Sequence, residues 1–265
     1  MWGSWEEVEI TANSICMNDK IKPGQPPFMG NYFCLLHNHN AAFVIVAKNA
    51  CTFLKQTAVV LRRNKILQDA NDLHDEVGFE PRENKGSWQR FSIGVASLFH
   101  GKGWKEKHFG FNYLVPVSKM SEYEKTNGRL VKFAVYRDPV ERFIANYKHF
   151  VLDKTKRRYF NYIGLYNDKS FERFVQFAEF ELGKSHVEYQ DEHIRRQSDY
   201  YKPQDVDYIV PIEKLNLFLS EKGIPMASST KINASSSSTP EGITQELKDR
   251  VKKLYNADYS IKVNY

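Results

Sequence analysis

Two short stretches of this 265-residue chain place a cation directly after an apolar run. In the first, Ala42-Phe-Val-Ile-Val-Ala47 leads into Lys48, Asn49, Ala50, Cys51, Thr52 and Phe53. In the second, Leu130-Val-Lys-Phe-Ala-Val-Tyr136 leads into Arg137-Asp138-Pro139. A short apolar run of this kind reads as a strand buried on both faces, as in a parallel sheet. The residues that follow each run read as the start of a helix. An anion held at a strand-to-helix junction meets backbone N–H groups and the positive end of the helix dipole. Lys48 adds a point charge and Thr52 a hydroxyl at one junction. Arg137 adds a planar fork that can hold an anion by two bonds at the other. Either junction alone also reads as an ordinary turn with a solvated lysine or an Arg–Asp pair. Together, at the C-terminal ends of two parallel strands, they suit a nucleotide with two separated anionic groups.

The first loop lacks the glycines of the G-x-x-x-x-G-K-[ST] pattern, so a long wrap around a triphosphate is not expected. A small-molecule kinase of P-loop-like geometry is the alternative reading. The sequence offers no clear pattern of Mg²⁺-binding carboxylates for it.

The elements that must position these residues alternate between strand and helix, which indicates a three-layer α/β fold around a central, mainly parallel sheet. A helix is expected from Thr52, as its cap, to Arg63, with Arg62 and Arg63 at its negative end. Pro139 is well placed to open a helix that runs past Tyr147. Apolar residues at 171, 174, 175, 177, 178 and 182 give Phe171–Leu182 a helical face, ended by Gly183. Tyr208–Ile212 reads as a strand, Glu213–Lys222 as a helix stopped by Gly223, and Thr244–Tyr255 as an amphipathic helix. Residues 69–107 and the serine-rich 228–238 read as mostly irregular. Residues 1–40, with Pro23, Gly24, Pro26 and Pro27, read as an extension of unclear structure. A single domain over 1–265 is expected, with 42–63 and 129–151 as the two halves of the nucleotide site. Residues 64–128 and 152–205 would build most of the acceptor side.

Composition bounds the function classes. Apolar residues make up 42%, enough for a sizeable core. The 38 basic against 32 acidic residues give +6, which suits an anionic ligand, a nucleic acid or a membrane surface. That charge is not gathered into a basic tail, and no RNP, KH or helix-turn-helix pattern is present, so a nucleic-acid partner is not expected. Cys16, Cys34 and Cys51 are odd in number and lack metal-ligand spacing, so neither a complete disulfide framework nor a metal site is expected. No signal-peptide pattern and no run of membrane-spanning length occurs. A cytoplasmic protein without stable membrane insertion is the expectation. The 18 Phe and 15 Tyr would serve core packing first and could also line a pocket for a sugar, sterol, lipid or phenol.

Taken together, these segments resemble the sulfotransferases that use 3′-phosphoadenosine 5′-phosphosulfate (PAPS), above all the membrane-anchored carbohydrate sulfotransferases and their soluble bacterial relatives. Val44 to Lys55 resembles the family's 5′-phosphosulfate loop, and Lys132 to Tyr147, with Arg-Asp-Pro-x-Glu-Arg, its 3′-phosphate motif. Asp191-Glu-His-Ile-Arg-Arg-Gln197, Tyr208 to Leu215 and Ile232-Asn-Ala-Ser235 follow in the family's order. The resemblance implies a P-loop-like fold and sulfuryl transfer to an acceptor hydroxyl, a carbohydrate's in first place. It implies that Lys48 contacts the oxygen bridging sulfate and phosphate. Asn49, Ala50, Cys51, Thr52 and Phe53 would form the 5′ loop, with backbone N–H groups and the Thr52 hydroxyl on the 5′-phosphate. Arg137 would bind the 3′-phosphate, with Lys231 and Ser235 on a loop closing over the nucleotide. The serine that usually follows the arginine by eight residues is here Ala145, so one hydroxyl ligand is missing. No metal is implied.

A general base must take the acceptor proton, and His or Glu is usual. His108, in Lys105-Glu-Lys-His-Phe-Gly-Phe-Asn-Tyr113, lies between the two motifs and is the first candidate. His100 is second, followed by Glu76 and His193, the last of which also reads as a structural residue. Arg195 and Arg196 would either contact an anionic acceptor or be solvated. His108→Ala is expected to abolish most turnover while leaving PAPS binding intact. Near-normal turnover of that variant would remove His108 from the role.

Overall fold

The computed structural model describes residues 31–67, 73, 76, 77, 113–153, 168–227 and 240–265. Its centre is a five-stranded sheet of β1 (Tyr32–Leu36), β2 (Ala41–Val44), β3 (Leu114–Pro116), β4 (Val131–Tyr136) and β5 (Tyr208–Pro211). The spatial order is β3-β1-β2-β4-β5. β2, β4 and β5 run parallel, with Phe43 opposite Phe133 and Phe133 opposite Tyr208. This parallel core is the part the apolar runs foretell, and helices flank it as expected of a P-loop-like fold. β1 and β3 add an antiparallel edge.

β1 lies inside residues 1–40, the stretch whose structure the sequence leaves unclear. Its five residues form a hairpin with β2 across His37-Asn38-His39-Asn40. Asn38 and Asn40 take left-handed backbone angles, φ 67° and 47°, which asparagine tolerates better than most residues.

Alternate residues of each strand face opposite sides of the sheet. Cys34, Leu36, Phe43 and Phe133 pack with Leu54, Ala58 and Val59 of α1 (Cys51–Arg63) on one side. Phe33, Leu35, Ala42, Val44 and Ala134 pack with Tyr200 and Tyr201 on the other. α2 (Met120–Asn127) leads into β4, and α3 (Pro139–Tyr147) leaves it. α3 continues as a π-helical turn over Lys148–Leu152. A further aromatic core joins α3 to α4 (Phe171–Leu182) and α6 (Gln245–Leu254), with the Phe143 and Phe174 rings 4.7 Å apart. α5 (Leu215–Glu221) follows β5, and α7 (Asn256–Tyr259) follows α6.

The expected bounds of α4 and the Thr244 start of α6 hold; the Thr244 hydroxyl accepts from the Leu247 N–H at 3.3 Å. The expected Thr52 cap does not. α1 starts one residue earlier, after Ala50, with no side-chain cap, and Thr52 sits in the first turn. No described helix is long and apolar enough to cross a membrane.

α3 starts where Asp138 accepts from the N–H groups of Val140 and Glu141 at 2.9 and 3.0 Å, with Pro139 at the first helical position. This cap fixes the direction in which α3 leaves β4. Asp138→Ala is expected to cost about 1 kcal/mol and to lower the thermal midpoint by about 2–4 °C. Calorimetry checks this, and an unchanged midpoint would mean that the cap contributes nothing.

Candidate active site

The loop from β2 to α1 turns sharply without glycine. Lys48 and Ala50 sit at φ 65° and 58°. Each left-handed residue costs roughly 1–2 kcal/mol, and phosphate-binding loops commonly use glycine for such turns. Bonds to β4, to Arg137 just after it, to α3 and to Gln197 hold three successive residues of the turn. The Ala47 carbonyl accepts from Arg142 Nε at 2.9 Å. The Lys48 carbonyl accepts from Arg137 Nη1 at 3.2 Å. Asn49, only 2% exposed, donates from Nδ2 to the Val135 carbonyl at 2.6 Å and to Gln197 Oε1.

The Asn49 N–H donates to the Val46 carbonyl at 3.2 Å. This residue therefore braces the loop from inside, in contrast to the expectation that its N–H faces a ligand. Ala50, Cys51, Thr52 and Phe53 form the entry to α1, where first-turn N–H groups lack acceptors within the helix. Cys51 and Phe53 also pack partly against the first core.

Arg137 stands at the end of β4, beside this loop. Burial lowers the pKa of its guanidinium, while Glu141, Glu213 and Asp138 act the other way. An arginine remains a cation in a protein, with five N–H donors, one of which the Lys48 carbonyl takes. Ala145, at the place of the expected hydroxyl, is buried on α3.

The segment after α4 forms a third wall. Arg142, 1% exposed, donates to the carbonyls of Arg195 at 2.9 Å and His193 at 3.4 Å as well as to Ala47. Asn146 Nδ2 also donates to the His193 carbonyl, at 2.5 Å. The His193 N–H donates to Asp191 Oδ1 at 2.8 Å, and its ring Nδ1 lies 3.3 Å from the same oxygen. Burial pushes the Asp191 carboxyl up, but hydrogen bonds and charge from His193, with the charge of Lys184, bring it below the usual range.

Phe150, on the π-helical turn, lies between Lys48 and His193. The Lys48 ammonium sits 5.0 Å from its ring centroid, and the His193 ring packs edge-on at 4.4 Å. A cation over an aromatic face is held in place without neutralising its charge.

The other expected residues divide clearly. Arg195 donates to Asn31 Oδ1 at 2.8 Å and stacks on Tyr200, while Arg196 donates to the Leu254 carbonyl at 2.9 Å. Both arginines thus have internal partners. Glu76 pairs with Arg63 at 2.8 Å, at the far end of α1. That helix has 13 residues, so this end lies roughly 18 Å from the loop. Glu76 is therefore poorly placed as a base. His100, His108, Lys231 and Ser235 lie outside the described residues.

Gln197, Asp258 and the roles of Arg142 and Asn146 were missed. A local signal existed for Arg142, a lone cation among the apolar residues Val140, Phe143, Ile144 and Tyr147. None existed for Gln197, whose partners lie far away in sequence.

With this geometry in hand, the chain matches the Sulfotransferase family over residues 31–261. The protein belongs to the sulfotransferase family, whose general chemistry is sulfuryl transfer. The matched region opens at β1, so it takes in the antiparallel edge as well as the parallel core. No curated protein and no solved structure matches the chain significantly.

The left-handed turn gives a direct test. Ala50→Gly is expected to stay within about 1 kcal/mol of the original stability, since relief of strain offsets the greater freedom of the unfolded chain. Ala50→Val, β-branched at φ 58°, is expected to lose about 1–2 kcal/mol. Urea unfolding separates the two, and equal stabilities would contradict the left-handed turn.

Proposed function

We propose that this protein transfers the sulfuryl group of PAPS to an acceptor hydroxyl, with a carbohydrate as the favoured acceptor and a sterol, lipid or phenol as the others. One observation carries the reading: the two cation-bearing junctions adjoin and are bonded to each other, Arg137 Nη1 to the Lys48 carbonyl at 3.2 Å. β2 and β4 are neighbouring parallel strands, so the two junctions would offer two anion sites to one ligand.

The cradle suits such a ligand. The first-turn N–H groups at Ala50 to Phe53 and the Thr52 hydroxyl would hold the 5′-phosphate. Arg137 would hold the 3′-phosphate by two parallel bonds. Lys231 and Ser235 are the further candidates on that side, because Ala145 offers no hydroxyl. When bound, the donor supplies an activated sulfuryl group with a phosphate as leaving group. The bond from the acceptor oxygen to sulfur forms as the bond from sulfur to the bridging oxygen breaks. The electron pair leaves on the phosphate oxygen, where the Lys48 ammonium offsets the growing charge. Phe150 steers that ammonium. The acceptor proton goes to the base, with His108 first and His100 second. The chemistry as drawn uses no metal.

The His193 ring is fixed by Asp191 and Phe150, and its carbonyl by Arg142 and Asn146, which favours a structural role for it. The family's general chemistry also counts against a P-loop-like kinase.

The test is incubation with labelled PAPS and a panel of glycans, sterols and phenols, read by mass spectrometry. Lys48→Ala is expected to lower kcat by about 10²–10³-fold. In thermal-shift measurements the desulfated nucleotide PAP is expected to stabilise the protein. Stabilisation by ATP–Mg²⁺ with none by PAP would overturn the proposal.

A further inference from the structure

We infer that Gln197 is a positioning residue that sets the spacing between the two anion sites; the inference rests on the donor reading above. Gln197 is fully buried, in a 3₁₀ turn between α4 and β5. Its side-chain amide clasps the backbone of Arg137 at two points. Oε1 accepts from the Arg137 N–H at 3.1 Å, and Nε2 donates to the Arg137 carbonyl at 2.8 Å. The same Oε1 accepts from Asn49 Nδ2. One amide oxygen therefore joins the backbone of one junction to a side chain of the other.

Gln197 is itself anchored. Its backbone N–H donates to Asp258 Oδ2 at 2.9 Å, and the Ser198 N–H donates to Asp258 Oδ1 at 2.9 Å. Nε2 reaches Asp258 Oδ2 at 3.5 Å. Asp258, on α7, is also fully buried. With solvent excluded, each bond in such a network is strengthened and holds its partners in one arrangement.

This clasp touches neither sulfur nor the leaving oxygen, so it acts through Lys48 and Arg137. A ligand anchored at one end meets the second site as an intramolecular event. Its effective concentration there depends on the spacing being right. Loosening the clasp should penalise ligands that use both sites and spare those that use one.

The experiment titrates PAP, adenosine 5′-phosphate and adenosine 3′-phosphate into the full chain by calorimetry. It compares the original protein with Gln197→Met, Asn49→Ala and the double variant. Asn49→Ala removes the shared bond from the other side, together with the bond to the Val135 carbonyl, so it answers the question even if Gln197→Met does not fold. PAP binding is expected to weaken by about tenfold in each single variant, with the mononucleotides changed by less than about twofold. The double variant should lose less than the sum of the two single losses, because the shared Asn49–Gln197 bond is removed in both. KM for PAPS should rise while kcat stays within about threefold. Unchanged PAP binding in either folded single variant would overturn the inference. So would equal losses for all three nucleotides, the mark of general damage. If the original protein binds no PAP, the donor reading falls and takes this inference with it; PAP binding unaffected by the substitutions refutes the inference alone.

Discussion

The site is organised around a buried cation. Arg142 is almost wholly out of water, and its guanidinium is satisfied by backbone carbonyls of Ala47, His193 and Arg195. Desolvating a charge is costly, and only a full set of hydrogen bonds offsets it. A lysine could not replace it, because an ammonium is a point donor and cannot span three carbonyls as a planar fork does. The first loop, α3 and the segment after α4 are therefore tied to one side chain. The strained turn at Lys48 and Ala50 persists because Arg142, Arg137 and Asn49 over-determine it.

Much of this frame was legible in the sequence. β2, β4 and β5 announce themselves as short apolar runs, and α4 by its period and its stop at Gly183. Local chemistry decides such elements. β1 follows directly on a Pro/Gly-rich stretch that reads as loop, and β3 is only three residues, so neither stands out from its surroundings. The start of α1 was misread for another reason. Thr52 has the chemistry of a cap and Ala50 has not, yet tertiary bonds impose the turn on Ala50.

The site divides in the same way. Lys48 and Arg137 stand out as candidates because each is a cation at a strand-to-helix junction. Asn49 and Gln197 lie 148 positions apart, and Gln197 and Asp258 a further 61. Bonds over such separations leave no trace in spacing or composition. Phe150 is a middle case: an aromatic just past α3 looks like core, and only the π-helical turn brings its ring against both Lys48 and His193.

The dependence of Gln197 on Asp258 also orders events during synthesis. A ribosome delivers Lys48 and Arg137 before α7, while a domain folds as a unit. Both cationic junctions are therefore made on a nascent chain that still lacks β5 and the anchor of the clasp. Only when Asp258 leaves the exit tunnel can it receive the N–H groups of Gln197 and Ser198. Between those two points the nascent chain carries both cationic junctions without the clasp that joins them.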